Sequence, residues 1–136
     1  MARHTYLCPV RWFDLDAYQH VNNVQFLRFL EEARVDFLFA LAPREGAKSL
    51  KEGVVIARHE IDYKRPLHYR PEPVPVETWV TDIKAASFAL SYEVRDEHVL
   101  YARASSVLVP YNFVDDRPRR ITAEERGYLA GYLEGA

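Results

Sequence analysis

Over residues 23–41 apolar side chains recur every three or four positions, and no other stretch of the chain sustains that period for so long. Phe26, Leu30, Ala33, Phe37 and Leu41 share one face, and Val24, Leu27, Leu38 and Ala40 broaden it. A stripe that wide predicts a helix largely enclosed by other structure. Asn22 suits the N-cap, since its side-chain oxygen can accept from an orphan backbone N–H. Gln25 three residues later completes a capping-box pattern, and Val21 with Phe26 fits a hydrophobic staple. Arg28 and Glu32 are spaced for an ion pair on the exposed face. Pro43 and Gly46 mark the helix end.

Elsewhere the period is two. Residues 6–13 are aromatic and β-branched and predict a first strand. After a polar linker at 48–53, Val55, Ala57, His59, Ile61 and Tyr63 alternate with polar side chains, as do Val74, Val76, Thr78 and Val80. The cleanest case is Phe88, Leu90, Tyr92 and Val94, and residues 99–110 follow as a last strand. Consecutive strands joined by turns should pair antiparallel. Four prolines between 66 and 75 predict a longer connection. Residues 122–133 predict a short helix, with Thr122 as N-cap and Glu125 closing a second capping box. One helix long enough to cover a sheet, among five strands, implies an α+β domain over 1–136 with an antiparallel sheet curled around that helix. Such a sheet keeps exposed edges, so a homodimer that continues the sheet is expected, or a dimer of such dimers.

Composition narrows the function classes. The net charge is −2, and the densest basic run is Arg117-Pro118-Arg119-Arg120. No basic stripe of the kind nucleic acid requires is present. The single cysteine, Cys8, excludes an intrachain disulfide, fits a reducing compartment and has no base beside it. Met1-Ala2-Arg3-His4 leads straight into strand-like sequence without a secretory apolar region. No apolar run approaches a membrane span. A soluble cytoplasmic protein is expected, with no nucleic-acid or membrane partner. His59, His68 and His98 are scattered without metal-ligand spacing, so no metal is expected.

Chemistry concentrates in Arg11-Trp12-Phe13-Asp14-Leu15-Asp16-Ala17-Tyr18-Gln19-His20-Val21-Asn22-Asn23. Two carboxylates are followed at once by the start of the enclosed helix. The first N–H groups of a helix have no internal partner, and with the helix dipole they suit developing negative charge. The pattern is an acid beside an oxyanion site. An ordinary aspartate is ionised at neutral pH and can attack a carbonyl as nucleophile; alternatively it activates water as a general base. Turn capping competes as an explanation for both acids, and it fits Asp14 better than Asp16.

Residues 16–23, followed by Phe26-Leu27-Arg28-Phe29-Leu30-Glu31-Glu32-Ala33-Arg34, resemble the 4-hydroxybenzoyl-CoA thioesterase family of hotdog proteins, most nearly its long-chain acyl-CoA thioesterase branch. The likeness includes Ile61-Asp62-Tyr63-Lys64-Arg65-Pro66-Leu67 and is weak beyond Pro110. It implies a hotdog fold and hydrolysis of an acyl-CoA, medium or long in chain, without metal or organic cofactor, at sites on a subunit interface. It assigns the catalytic carboxylate to Asp16 and the carbonyl-polarising backbone N–H to Asn23. His20, Val24, Tyr63 and Arg65 are the expected substrate contacts. His20 is expected chiefly to brace the loop, and Tyr63 to face the core. Lys64, Arg65 and Arg103 are candidates for CoA phosphates. Glu31 and Glu32 are expected at a surface or an interface. The family's Gly-Asp pair is replaced by His68-Tyr69-Arg70-Pro71-Glu72-Pro73, so no CoA contact is carried over there. A non-catalytic acyl-CoA-binding protein and an enoyl-CoA hydratase are the alternatives; the Asn-Pro-X-His run of hotdog hydratases is absent.

Overall fold

The computed structural model describes residues 3–134; Met1 and Ala2, the start of the expected lead-in to the first strand, lie outside the described residues, as do Gly135 and Ala136. Five long strands are β1 (His4–Cys8), β2 (Val54–Tyr63), β3 (Val74–Ile83), β4 (Phe88–Arg95) and β5 (Leu100–Asn112). They form one antiparallel sheet in the order β1-β3-β4-β5-β2, and the short β6 (Arg117–Pro118) pairs with the end of β5. The helix α1 (Asn23–Val35) runs on through a wider π turn at Asp36–Leu41 into α2 (Ala42–Arg44). The wide turn has a local cause. Pro43 has no N–H, and its ring would crowd the carbonyl four residues back; the Ala42 N–H instead reaches Phe37 O. Gly46, at φ 95°, ends the rod in a conformation that favours glycine. The helix α3 is Ala123–Ala130.

The sheet curls around α1 as expected. Phe26, Phe29, Leu30, Ala33, Phe37 and Leu38 are buried against Val76, Val80, Phe88, Leu90, Tyr92 and Val94 in one continuous core. The outer face of the sheet is charged instead. There the Arg3 guanidinium stacks 3.6 Å over the Trp79 ring and reaches Glu77, Glu93 and Glu134.

Several local expectations differ from the structure. The first strand stops at Cys8; Pro9 cannot donate to a ladder, and Trp12–Asp14 wind into a 3-10 turn. β2 pairs with β5 rather than with β3, because the proline-rich connection carries the chain across the sheet. β2 is therefore an edge strand, exposed over most of its length and bulged at Ala57. Asn22 does cap α1, but its side chain accepts from Val24, and the Gln25 side-chain oxygen is buried without a partner, so that capping box does not form. Arg28 and Glu32 line a common cleft with no ion pair between them among the described residues. The second capping box forms in full: Thr122 and Glu125 exchange bonds of 2.9 and 3.1 Å. No helix among the described residues is long and apolar enough to cross a membrane.

Candidate active site

The loop between β1 and α1 is held by its first acid. Asp14 is fully buried; its carboxylate accepts from the Arg11 N–H at 2.8 Å and from the Arg11 guanidinium at 3.0 Å, and its carbonyl accepts from the Asn22 N–H at 2.9 Å. The two ends of the loop are thereby tied together, with Leu15 bridged to Val21. Asp14 is the turn-capping acid of the pair.

Asp16 opens the tip of the loop. Its N–H donates to His20 O at 2.9 Å, and its Oδ1 accepts from the N–H groups of Tyr18 at 2.8 Å and His20 at 3.3 Å. Gln19 closes the turn at φ 63°, a conformation uncommon for a side-chain-bearing residue. Both recorded bonds fall on one carboxylate oxygen, and Oδ2 has no partner among the described residues. The segment after β2 clasps this tip: Val21 N–H donates to Leu67 O at 2.8 Å, and the His20 and His68 rings meet edge to face at 4.9 Å.

A cleft of about 270 Å³ opens where these pieces meet. Asp16, His20, Val21 and Asn23 line it from the loop and helix start, Phe26 from the next turn, and Tyr63, Lys64, Arg65 and Pro66 from the end of β2. Asn23 is the first residue of α1. The Asn22 side chain takes the next amide, that of Val24, at 3.0 Å, and the Asn23 N–H has no acceptor among the described residues. A half-buried carboxylate and a free amide at the positive end of a helix thus share one cleft, with two cations at its rim.

The structure brings Asp16, Asn23, His20, Tyr63 and Arg65 together. His20 is tied into the loop by its backbone, which bridges to His68 and exchanges bonds with Asp16, while its ring meets the His68 ring. Tyr63 lies on the inner side of β2, opposite buried Ala102, but is not enclosed: it is 42% exposed, its ring packs edge-on against Phe26, and its hydroxyl donates to Asn23 O at 3.2 Å. Val24 is not in the cleft wall and stands 63% exposed on the helix surface. Arg103 lies on the outer sheet face, paired with Glu93 at 3.0 Å, far from the loop in topology. Pro66 and His68 are neighbours of the loop that sequence reasoning did not single out; Pro66 stands near the end of the family-like run that leaves β2, and His68 follows in the proline-rich connection. Cys8 is buried, and burial, with the nearby Asp14 charge, pushes its thiol up to about 12, so it stays protonated at neutral pH. No three His, Cys, Asp or Glu side chains gather as a metal site among the described residues.

A five-stranded antiparallel sheet curled on one long helix is the hotdog fold, shared with thioesterases of known structure. The family model of the thioesterase-like superfamily matches residues 10–124, and the chain belongs to that family. Over 57 residues it is 42% identical to the long-chain acyl-CoA thioesterase FadM of Escherichia coli, a match that spans 42% of this chain and 43% of that protein. The chain thus covers less than half the length of that relative. A predicted thioesterase from Bacillus stearothermophilus superposes with a TM-score of 0.87 at 27% identity, covering 99% of each chain. A Thermus thermophilus thioesterase complexed with coenzyme A and Zn gives 0.78 at 29% identity, covering 94% of this chain and 92% of that one.

Proposed function

We propose that this protein hydrolyses an acyl-CoA, of medium or long chain, to the free acid and CoA. The observation that carries the reading is the shared cleft: an aspartate with one uncommitted oxygen and an amide with no acceptor, at the start of the same helix. As a thioester carbonyl is attacked, its oxygen becomes negative. The Asn23 N–H and the dipole of α1 stabilise that charge, and donors of this kind are worth about 2.7–4 kcal/mol each. Asp16 supplies the carboxylate, either attacking the carbonyl and expelling the CoA thiolate to form an anhydride that water then hydrolyses, or taking the proton from water as the water attacks the carbonyl and the CoA thiolate leaves. Lys64 and Arg65 offer cations for the phosphates of CoA. The CoA complex of the Thermus thermophilus thioesterase, which shares the fold, supports this choice of substrate. The free β2 edge supports a homodimer, with the cleft at the subunit boundary.

The test is release of free thiol across a series of acyl-CoA lengths. Asp16→Asn keeps an acceptor for the Tyr18 and His20 amides, so the loop stays formed and substrate still binds. Turnover is expected to fall by about 10²–10⁴-fold, the usual worth of a positioned acid or base. Binding without thiol release in the wild type would leave a carrier or sensor, and undiminished turnover in Asp16→Asn would move the chemistry elsewhere. Single turnover in ¹⁸O-water tests the nucleophilic role: label recovered in the Asp16 carboxyl group shows that water opened an anhydride at the Asp16 carbon, which a general base never does.

A further inference from the structure

The helix α1 carries a second stripe besides the one that faces the core. Val24, Leu27, Glu31 and Arg34 recur at alternating steps of three and four, the seam of a helix pair, and Leu38, at the core border in the π turn that follows, lies at its end. Val24, Leu27 and, beside the seam, Val35 are apolar yet exposed, alongside the polar Asn23, Arg28, Glu31 and Glu32. At the middle of the seam is an unusual group. Arg34 is only 9% exposed, and the hydrogen bond recorded for its guanidinium is a long one, 3.4 Å to the Tyr92 hydroxyl. No carboxylate lies within salt-bridge distance of it among the described residues. A guanidinium has five donors and cannot shed its charge, and a buried cation without a counter-charge costs several kcal/mol.

Arg34 lies in the wall of a cleft of about 150 Å³ between α1 and the free edge at β2. Leu38, Phe39, Val54, Ile56 and Leu108 make the other walls apolar. The one carboxylate at the cleft is Glu31, one turn earlier on the same seam, and it does not reach its neighbour. Opposite charges three residues apart on one helix face are self-complementary under a twofold axis. An antiparallel pair of these helices centred between positions 31 and 34 sets each Glu31 against the other Arg34. The same register sets Leu27 over the cleft that Leu38 lines. A small anion bound at Arg34 would answer the charge alone and would leave Val24, Leu27 and Glu31 facing water.

We infer that a second copy of this chain closes the cleft beside β2, pairing the α1 helices about a twofold axis so that Glu31 of each protomer receives the buried Arg34 guanidinium of the other. This rests on the homodimer reading above and adds its ionic lock. The test is sedimentation velocity of the full chain over a micromolar concentration series, with circular dichroism to check the fold. Wild type sediments as a dimer. Glu31→Arg and Arg34→Glu each weaken dimerisation by about a hundredfold, since each sets like charges face to face twice. An equimolar mixture of the two variants recovers the dimer, because both opposed pairs are then of opposite sign. If Arg34→Glu fails to fold, Arg34→Met takes its place: its mixture with Glu31→Arg forms heterodimers more tightly than Glu31→Arg pairs with itself. Dimers that persist in each charge-reversed variant alone overturn the lock and leave the homodimer standing. Monomeric variants that do not recover on mixing also overturn it, and a monomeric wild type sinks both readings.

Discussion

Asp14 and Asp16 stand two residues apart and are used differently by the same loop. Asp14 is fully buried and closed on Arg11, so it fixes where the loop begins and ends. Asp16 spends one oxygen on the turn and leaves the other to the cleft. Tyr63 offers a second residue-level test. Its hydroxyl touches Asn23 O, which as a first-turn helix carbonyl also accepts within the helix, so that hydrogen bond is dispensable. Its ring, by contrast, walls the cleft beside Phe26. Tyr63→Phe is expected to keep KM within about threefold of wild type. Tyr63→Ala is expected to raise KM about tenfold with kcat little changed, equivalent to about 1.4 kcal/mol of lost substrate contact. A fall in kcat with KM untouched would instead give the hydroxyl a part in the chemical step.

At the scale of elements, α1 joins stability to chemistry through its first turn. Asn22 caps the helix by accepting from Val24, which leaves the preceding amide, that of Asn23, facing the cleft. Asn22→Ala is expected to cost about 1 kcal/mol in denaturant unfolding. It is also expected to lower kcat, because the frayed turn no longer aims the Asn23 N–H, whereas Asn22→Ser preserves both. Equal losses of stability in the alanine and serine variants would disconnect the cap from the site. The sequence made α1, β4 and α3 legible because each carries an unbroken period or a full cap. β4 shows why: Phe88, Leu90, Tyr92 and Val94 are all buried. β2 was legible as a strand but not in its place. Edge strands are exposed on both faces, so alternation there carries no information about the partner, and pairing by sequence neighbourhood failed. Arg103 was misplaced for a reason visible afterwards. It alternates with buried Ala102 and Ala104 on β5, and that parity sends it to the outer face. Tyr63 does follow the alternation, since it pairs with buried Ala102 and shares the inner side with Ile61; it stays open because it ends an edge strand over the cleft, while the Ala57 bulge shifts the parity of the residues before it, so that Val54 and Ile56 rather than Val55 take that side.

For the whole molecule, charge linkage predicts a stability that falls in two stages as the solution is acidified. Glu125, Glu93 and Asp96 are each held below the ordinary carboxylate range. Burial acts first on Glu125 and Glu93 and opposes this, but guanidinium hydrogen bonds outweigh it; on Asp96 the bond from Arg70 leads. A carboxyl depressed in the fold binds fewer protons than in the unfolded chain. Its stabilisation is therefore complete above the unfolded value, 4.5 for Glu and 3.8 for Asp, and is lost as pH falls through the folded value. His59 is also lowered, by desolvation first and then by the charge of Arg34. An imidazole kept neutral by the fold has the same sign, so its share is lost as pH drops below 6.5. The expected denaturation midpoint is flat above about pH 7, declines gently through the imidazole range and falls steeply below about pH 4.5. His59→Gln removes the gentle stage. Glu125→Gln flattens the steep one, and at neutral pH it costs on the order of 3 kcal/mol, because Arg119 is left without the carboxylate it meets at 2.7 Å. A Glu125→Gln curve that runs parallel to wild type down to pH 3 would show that acid unfolding is set by other carboxylates, and the Arg119–Glu125 pair that anchors α3 would lose its assigned part in it.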